Sequence, residues 1–187
     1  MIINYNELES IRRYKLMSNT VIPRPIAWIV TEDEGIINAA PFSYFTPLSS
    51  DPAVIIVSIG QKEEGIPKDS LANILKHKKA TICFANEKNV EEVKLCANML
   101  DKNESEVETY NIETKRVLEQ FPPMIASSQT ALFCEFYDKI DLPGKTTPIL
   151  LEIKSQYAQD GLFNERFDGM PDNIGRSGIV FKKMEDL

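Results

Sequence analysis

Five apolar runs of strand length, each bounded by a turn signal, set what this chain can fold into: Ile26–Thr31, Ala53–Gly60, Ala80–Asn86, Thr130–Ile140 and Thr147–Tyr157. The first three are too short for helices of ordinary length, and all five are rich in β-branched and aromatic residues. A sixth extended stretch, "IINAAPFSYF", follows the first run after the turn signal "EDEG" (Glu32 to Gly35). That pair reads as a β-hairpin with a four- to five-residue loop. "SSDP" breaks the chain before the second run, and "DLPGKT" joins the last two. Strands linked by hairpins predict an antiparallel barrel of six or seven strands, not a parallel sheet.

Helical spacing appears in three places. "NELESIRRYKLM" near the N-terminus reads as a short helix. "KDSLANILKHKK" places Leu71, Ile74 and Leu75 on one face, with Asp69 or Ser70 available as N-cap. From about 88 to 120 the chain is charged and helix-leaning, with "VEEVKLCANML" its clearest helix, and "FPPM" ends it. Its charges read as a solvated face. A length of 187 residues fits a single domain, 1–187, with that helical insertion. The tail "DGMPDNIGRSGIVF" reads as a Gly-rich loop and one short strand.

Charge and cysteine usage narrow the function classes. The net charge of −7 opposes non-specific nucleic-acid binding, which needs a basic face. Cys83, Cys96 and Cys134 are widely spaced and odd in number, which argues against a disulfide framework or a zinc site. No membrane-length apolar run and no signal-peptide pattern is present, so a cytoplasmic location is expected. The single histidine, His77, sits among lysines in "KHKK" and reads as a solvated helix-end residue. No histidine-based triad or metal site follows from this sequence. Any redox chemistry would belong to a cofactor, and no catalytic side chain is assigned.

Three stretches carry binding chemistry. "NAAPFSYFTPLSSDP" combines small residues, hydroxyls and aromatics, which suits a planar, heteroatom-edged ligand and equally suits an ordinary strand and turn. "PKDSLANI" sets Lys68 and Ser70 at a helix start, where free N–H groups favour an anion, or where simple capping suffices. "NIGRSG" flanks Arg176 with Gly175 and Gly178, permitting close backbone approach or merely a loop. Ahead of them, Arg24 stands between Pro23 and Pro25 on a stiff, extended segment. It is placed there either to face a ligand or to pair with a carboxylate.

Taken in order, "PRPIAWIVT", "GIINAAPFSYFTPLSSDPAVIIVSIG", "KDSLANI" and "NIGRSG" resemble the flavin reductase-like family. The subgroup nearest in pattern is the flavoredoxin-like one, and the clear likeness spans Pro23 to Asn86. The resemblance implies a mainly β fold: an FMN-binding split β-barrel, antiparallel and Greek-key-like, with inserted α-helices. It implies a homodimer with FMN near the subunit interface and Arg24 beside the flavin. Asn38, Ala40, Pro41, Phe42 and Ser43 would line the isoalloxazine. Ser49, Lys68, Asp69 and Ser70 would approach the ribityl-phosphate, and Arg176 would join the cofactor-binding set.

The implied activity is electron transfer from NADH or NADPH through FMN to a flavin or a redox-protein acceptor. The alternative is a flavoredoxin-like carrier without nicotinamide turnover. Three departures from the family pattern bear on this choice. Ser70 replaces the threonine of a "KDT" motif. "LLEIKS" (Leu150 to Ser155) has no glycine before its glutamate. The histidine that often follows is absent, with Gln156, Tyr157 and Gln159 in that region.

Overall fold

The structure is a computed structural model and describes residues 1–63, 65–101 and 103–183. A 3-10 turn (Tyr5–Glu7) and helix α1 (Ser10–Thr20) precede the two-residue strand β1 (Arg24–Pro25). Strands β2 (Ala27–Asp33), β3 (Ile36–Phe42), β4 (Phe45–Ser50), β5 (Ala53–Glu63) and β6 (Ile66–Pro67) follow. Helix α2 (Asp69–His77) leads to β7 (Lys79–Phe84), then α3 (Val90–Leu95) and α4 (Glu106–Thr109). The chain continues through β8 (Thr114–Lys115), β9 (Met124–Ile125), β10 (Thr130–Lys139), β11 (Thr146–Ala158), β12 (Ile174–Ser177) and β13 (Val180–Lys183).

One antiparallel sheet dominates, in the order β3-β2-β7-β10-β11-β5-β4, with β6 beside β5. Its two end strands, β3 and β4, are consecutive in sequence and joined only by Ser43 and Tyr44. The sheet must therefore curl until its edges nearly meet, which makes a barrel split along that seam. Both faces are covered. Ala27 and Ile29 point into one core with Val57, Ile82 and Leu151, and α2 closes it with Leu71 and Ile74. Trp28 and Val30 point into a second core with Cys83, Val93, Met124 and Ile125. Burial on both faces explains why "IAWIV" is unbroken rather than alternating.

The structure corrects several expectations. The sheet has eight strands, and two smaller sheets accompany it. The unforeseen strands β6, β8 and β9 have two residues each, too few to show a period. The β2–β3 loop is Glu34 and Gly35 alone, at φ 51° and 83°, a left-handed pair that closes a two-residue hairpin. The 88–120 region holds two short helices, not one long one, and α3 ends at Leu95. Cys96 then turns inward and is buried. "NIGRSG" is not a loop: β12 pairs with β1, Arg176 opposite Arg24, and then with β13. Gly175 is required there, because a Cβ would lie 3.0 Å from Pro23 Cβ and 3.2 Å from the Arg24 carbonyl.

Candidate functional site

The site is built on the open edge of β3. In an antiparallel strand, alternate residues aim both backbone groups at the partner and the others aim them away. The Ala39 N–H donates to Glu106 Oε2 at 3.0 Å, and the Ile37 carbonyl accepts from Ser105 Oγ at 2.6 Å. Odd-numbered residues of β3 therefore face away from β2. The start of α4 covers this edge at residues 37–39. Pro41 continues the same parity, its carbonyl turned outward and its nitrogen without a proton.

A recess of about 70 Å³ lies beside this edge. Asn38, Ala40 and Pro41 form one wall, and Lys62, Lys68 and Asp69 face them. Lys68 is the N-cap residue of α2, with no side-chain cap, and it makes no ion pair among the described residues. Asp69 is held by Lys62 at 2.6 Å. Ser70 is not a cap, contrary to expectation. Its hydroxyl is 1% exposed and donates to Asn38 Oδ1 at 2.8 Å.

Asn38 is equally committed. Its amide donates to both Glu106 carboxylate oxygens at 3.0 Å, and Oδ1 also accepts from Thr31 at 3.4 Å. Asn73 completes the chain by donating to Thr31 Oγ1 at 3.1 Å. The side chains of Asn38 and Ser70 thus bind each other at the wall of the recess. Glu106 was not foreseen: "NESEVE" reads as solvated charge, and only tertiary packing buries it. Burial is the main cause that pushes its carboxyl above the usual range, and Asp69 adds to this. The Ala39 N–H and Asn38 amide pull the other way.

A larger cavity of about 420 Å³ opens on the other side of the β3–β4 turn. Arg24 and Ser43 line it among Met17, Tyr44, Phe45 and Ile56. Arg24 is 5% exposed and has no carboxylate partner among the described residues. Its Nη1 donates to the carbonyls of Ser18 and Val21, Nη2 to Gly178 O at 3.2 Å, and Nε to Ser43 Oγ at 3.4 Å. The guanidinium also lies 5.8 Å over Tyr44, which stacks on Tyr14 at 5.8 Å. The alternative of a salt bridge to a carboxylate is therefore overturned in favour of backbone carbonyls. Buried cations are ordinarily paired, so this one leaves a positive charge uncompensated at the cavity wall.

The remaining expected residues fall elsewhere. Phe42 is a core side chain, packed with Phe45 and Ile55, and presents no aromatic face to the site. Ser49 is exposed and accepts from the Asp51 N–H at 3.2 Å, within the turn that joins β4 to β5. Arg176 lies over Phe181 at 5.3 Å, in a separate cleft shared with Lys94. His77 is tied to Asp33 at 2.7 Å on the helix end. Met17 lines the larger cavity and Lys62 the recess without any local signal in the sequence.

The profile described as the flavin reductase like domain matches residues 17–170, so the chain belongs to the flavin reductase-like family. An uncharacterized protein of Halalkalibacterium halodurans is 34% identical over 146 residues, covering 78% of this chain and 70% of that protein. Matches to four curated relatives span between 58% and 70% of their lengths. Component B of nitrilotriacetate monooxygenase from Bacillus cereus superposes with a TM-score of 0.91 at 24% identity, covering 100% of this chain and 96% of that one. Flavoredoxin of Desulfovibrio vulgaris superposes at 0.77 with 14% identity, covering 100% and 95%. At these identities the two structures share the fold, an antiparallel split barrel with inserted helices.

Proposed function

We propose that the chain is an FMN-binding oxidoreductase that passes electrons from NADH or NADPH to a flavin or a protein acceptor. One observation carries this reading: the open stretch of β3 at Pro41 lies between a cation-bearing recess and a cavity walled by an uncompensated arginine. The recess, at about 70 Å³, holds roughly two waters' worth of volume at about 30 Å³ each. It suits a phosphate and not a ring. Lys68 and the free N–H groups that open α2 supply positive charge there. From Ala40 to Ser43 the strand advances about 10 Å, the scale of a ribityl chain with its phosphate. The outward Pro41 carbonyl offers an acceptor to a ring N–H, and Arg24 offers positive potential where a flavin ring gains negative charge. Bound FMN would supply the hydride and electron chemistry that the chain's own side chains lack.

A flavoredoxin-like carrier is the second reading. Gln156 and Tyr157 on β11, with Gln159 just beyond it, occupy the region where the family pattern often has a histidine, and His77 is engaged by Asp33. The visible spectrum under anaerobic NADH or NADPH separates the two. Rapid bleaching of the flavin bands supports the oxidoreductase. Bleaching by dithionite alone supports the carrier. A colourless protein that takes up no added FMN excludes both.

A homodimer belongs to the same proposal. Ile11, Tyr14 and Met17 leave an exposed apolar strip on α1 beside the larger cavity. Sedimentation at a single-chain mass would reject it. A cytoplasmic location is likewise proposed, supported by three buried free thiols. No described helix is long and apolar enough to cross a membrane.

A further inference from the structure

We propose that Glu106 fixes the shape of the β3 edge and sets the charge of the phosphate recess, so that entry of a phosphate-bearing ligand is coupled to protonation of this carboxyl. The inference rests on the FMN reading above. Three observations carry it. Glu106 lines the same recess as Lys68 and Ser70 and is 5% exposed. It makes no ion pair among the described residues, so its charge is met by dipoles: the Ala39 N–H and the Asn38 amide, each at 3.0 Å, and its own backbone N–H. Through Asn38 it also orients the Ser70 hydroxyl at the start of α2.

A phosphate carries close to two negative charges near neutral pH. Brought into a recess that already holds a buried carboxylate, it raises the free energy of having both groups ionised. The geometry favours the proton going to Glu106. Oε2 accepts from both Ala39 and Asn38, whereas the Asn38 amide that reaches Oε1 can keep its bond to Oε2. A proton on Oε1 therefore breaks no bond that Oε2 makes, and it turns the carboxyl from a repelling charge into a donor. Four other charged or ionisable groups line the recess. Lys62 and Asp69 are paired at 2.6 Å, Lys68 is a cation, and burial pushes the Cys96 thiol up to about 12. Glu106 is a positioning residue here and acts on the ligand through β3 and α2.

Calorimetric titration of the FMN-free protein in two buffers of different ionisation enthalpy reads this coupling. The wild-type protein should take up a substantial fraction of one proton with FMN and close to none with riboflavin. Glu106→Gln, which keeps an acceptor for Ala39 and Asn38, should bind FMN with that uptake lost and with an affinity less dependent on pH than wild type. Proton uptake that persists undiminished in Glu106→Gln would assign the proton to the phosphate and overturn the inference, leaving the FMN reading intact. Equal proton counts for FMN and riboflavin with wild-type protein alone would overturn it without any variant. Failure to bind either flavin would reject the FMN reading, and this inference with it.

Discussion

Lys68 and Arg24 are both cations at the candidate site, and they differ in what holds them. Lys68 stands at the head of α2 without an ion pair among the described residues, so its replacement frees no buried partner. Lys68→Ala should weaken FMN by about ten- to a hundredfold, since a charge-assisted contact to phosphate is worth about 1.5–3 kcal/mol. Riboflavin, which has no phosphate, should change little, and parallel titrations of the two flavins check this. Equal weakening of both would remove Lys68 from the phosphate role. Arg24 is instead bound to the carbonyls of Ser18, Val21 and Gly178 and so ties α1 and the β12–β13 turn to β1. Arg24→Ala would strand those carbonyls and should cost about 3 kcal/mol in denaturant unfolding, beyond any effect on FMN. Arg24→Lys should recover only part of that, because one ammonium cannot reproduce the guanidinium's fork of bonds to three carbonyls.

At the scale of elements, β12 is the piece whose fit is tightest. Gly175→Ala would set a methyl group 3.2 Å from the Arg24 carbonyl and should destabilise the fold by about 1–3 kcal/mol, read as a lower denaturation midpoint. This pairing also marks where sequence reading stopped. β2, β5, β7, β10 and β11 were legible because each carries an apolar run long enough to show its period. β12 was not, since "NIGRSG" has too few apolar residues, and its strand form depends on contact with Arg24, some 150 residues earlier in the chain. The same limit applies to the site. Asn38, Ala40, Pro41 and the start of α2 border the recess, and Ser43 borders the larger cavity. The bond between Asn38 and Ser70, 32 residues apart, had no sign in either stretch. Phe42 was read as a wall when parity turns it into the core. Glu106 was hidden because a glutamate in a charged run carries no local sign that a distant strand will bury it.

For the whole molecule, two carboxyl groups shape stability against pH in opposite senses. Burial holds Glu106 above its usual range, so the folded chain keeps this proton where the unfolded chain loses it. The stability it contributes is full below about pH 4.5 and is lost as pH rises through the folded value. Asp33 runs the other way. Hydrogen bonds from Lys76 and His77 hold it below 3.8, so its contribution is present above that pH and lost as pH falls through the folded value. Denaturant unfolding of Glu106→Gln should show a flatter profile than wild type above pH 4.5 and an unchanged acid limb. A variant that tracks wild type at every pH would mean the buried carboxyl carries no such proton. The curled sheet has one more consequence. The chain has a single tryptophan, Trp28, fully buried on β2 directly across from Pro41 on the site's edge strand. The protein thus has a built-in optical reporter: its emission should be blue-shifted when folded, and it should dim by energy transfer when a yellow ligand settles on the neighbouring strand.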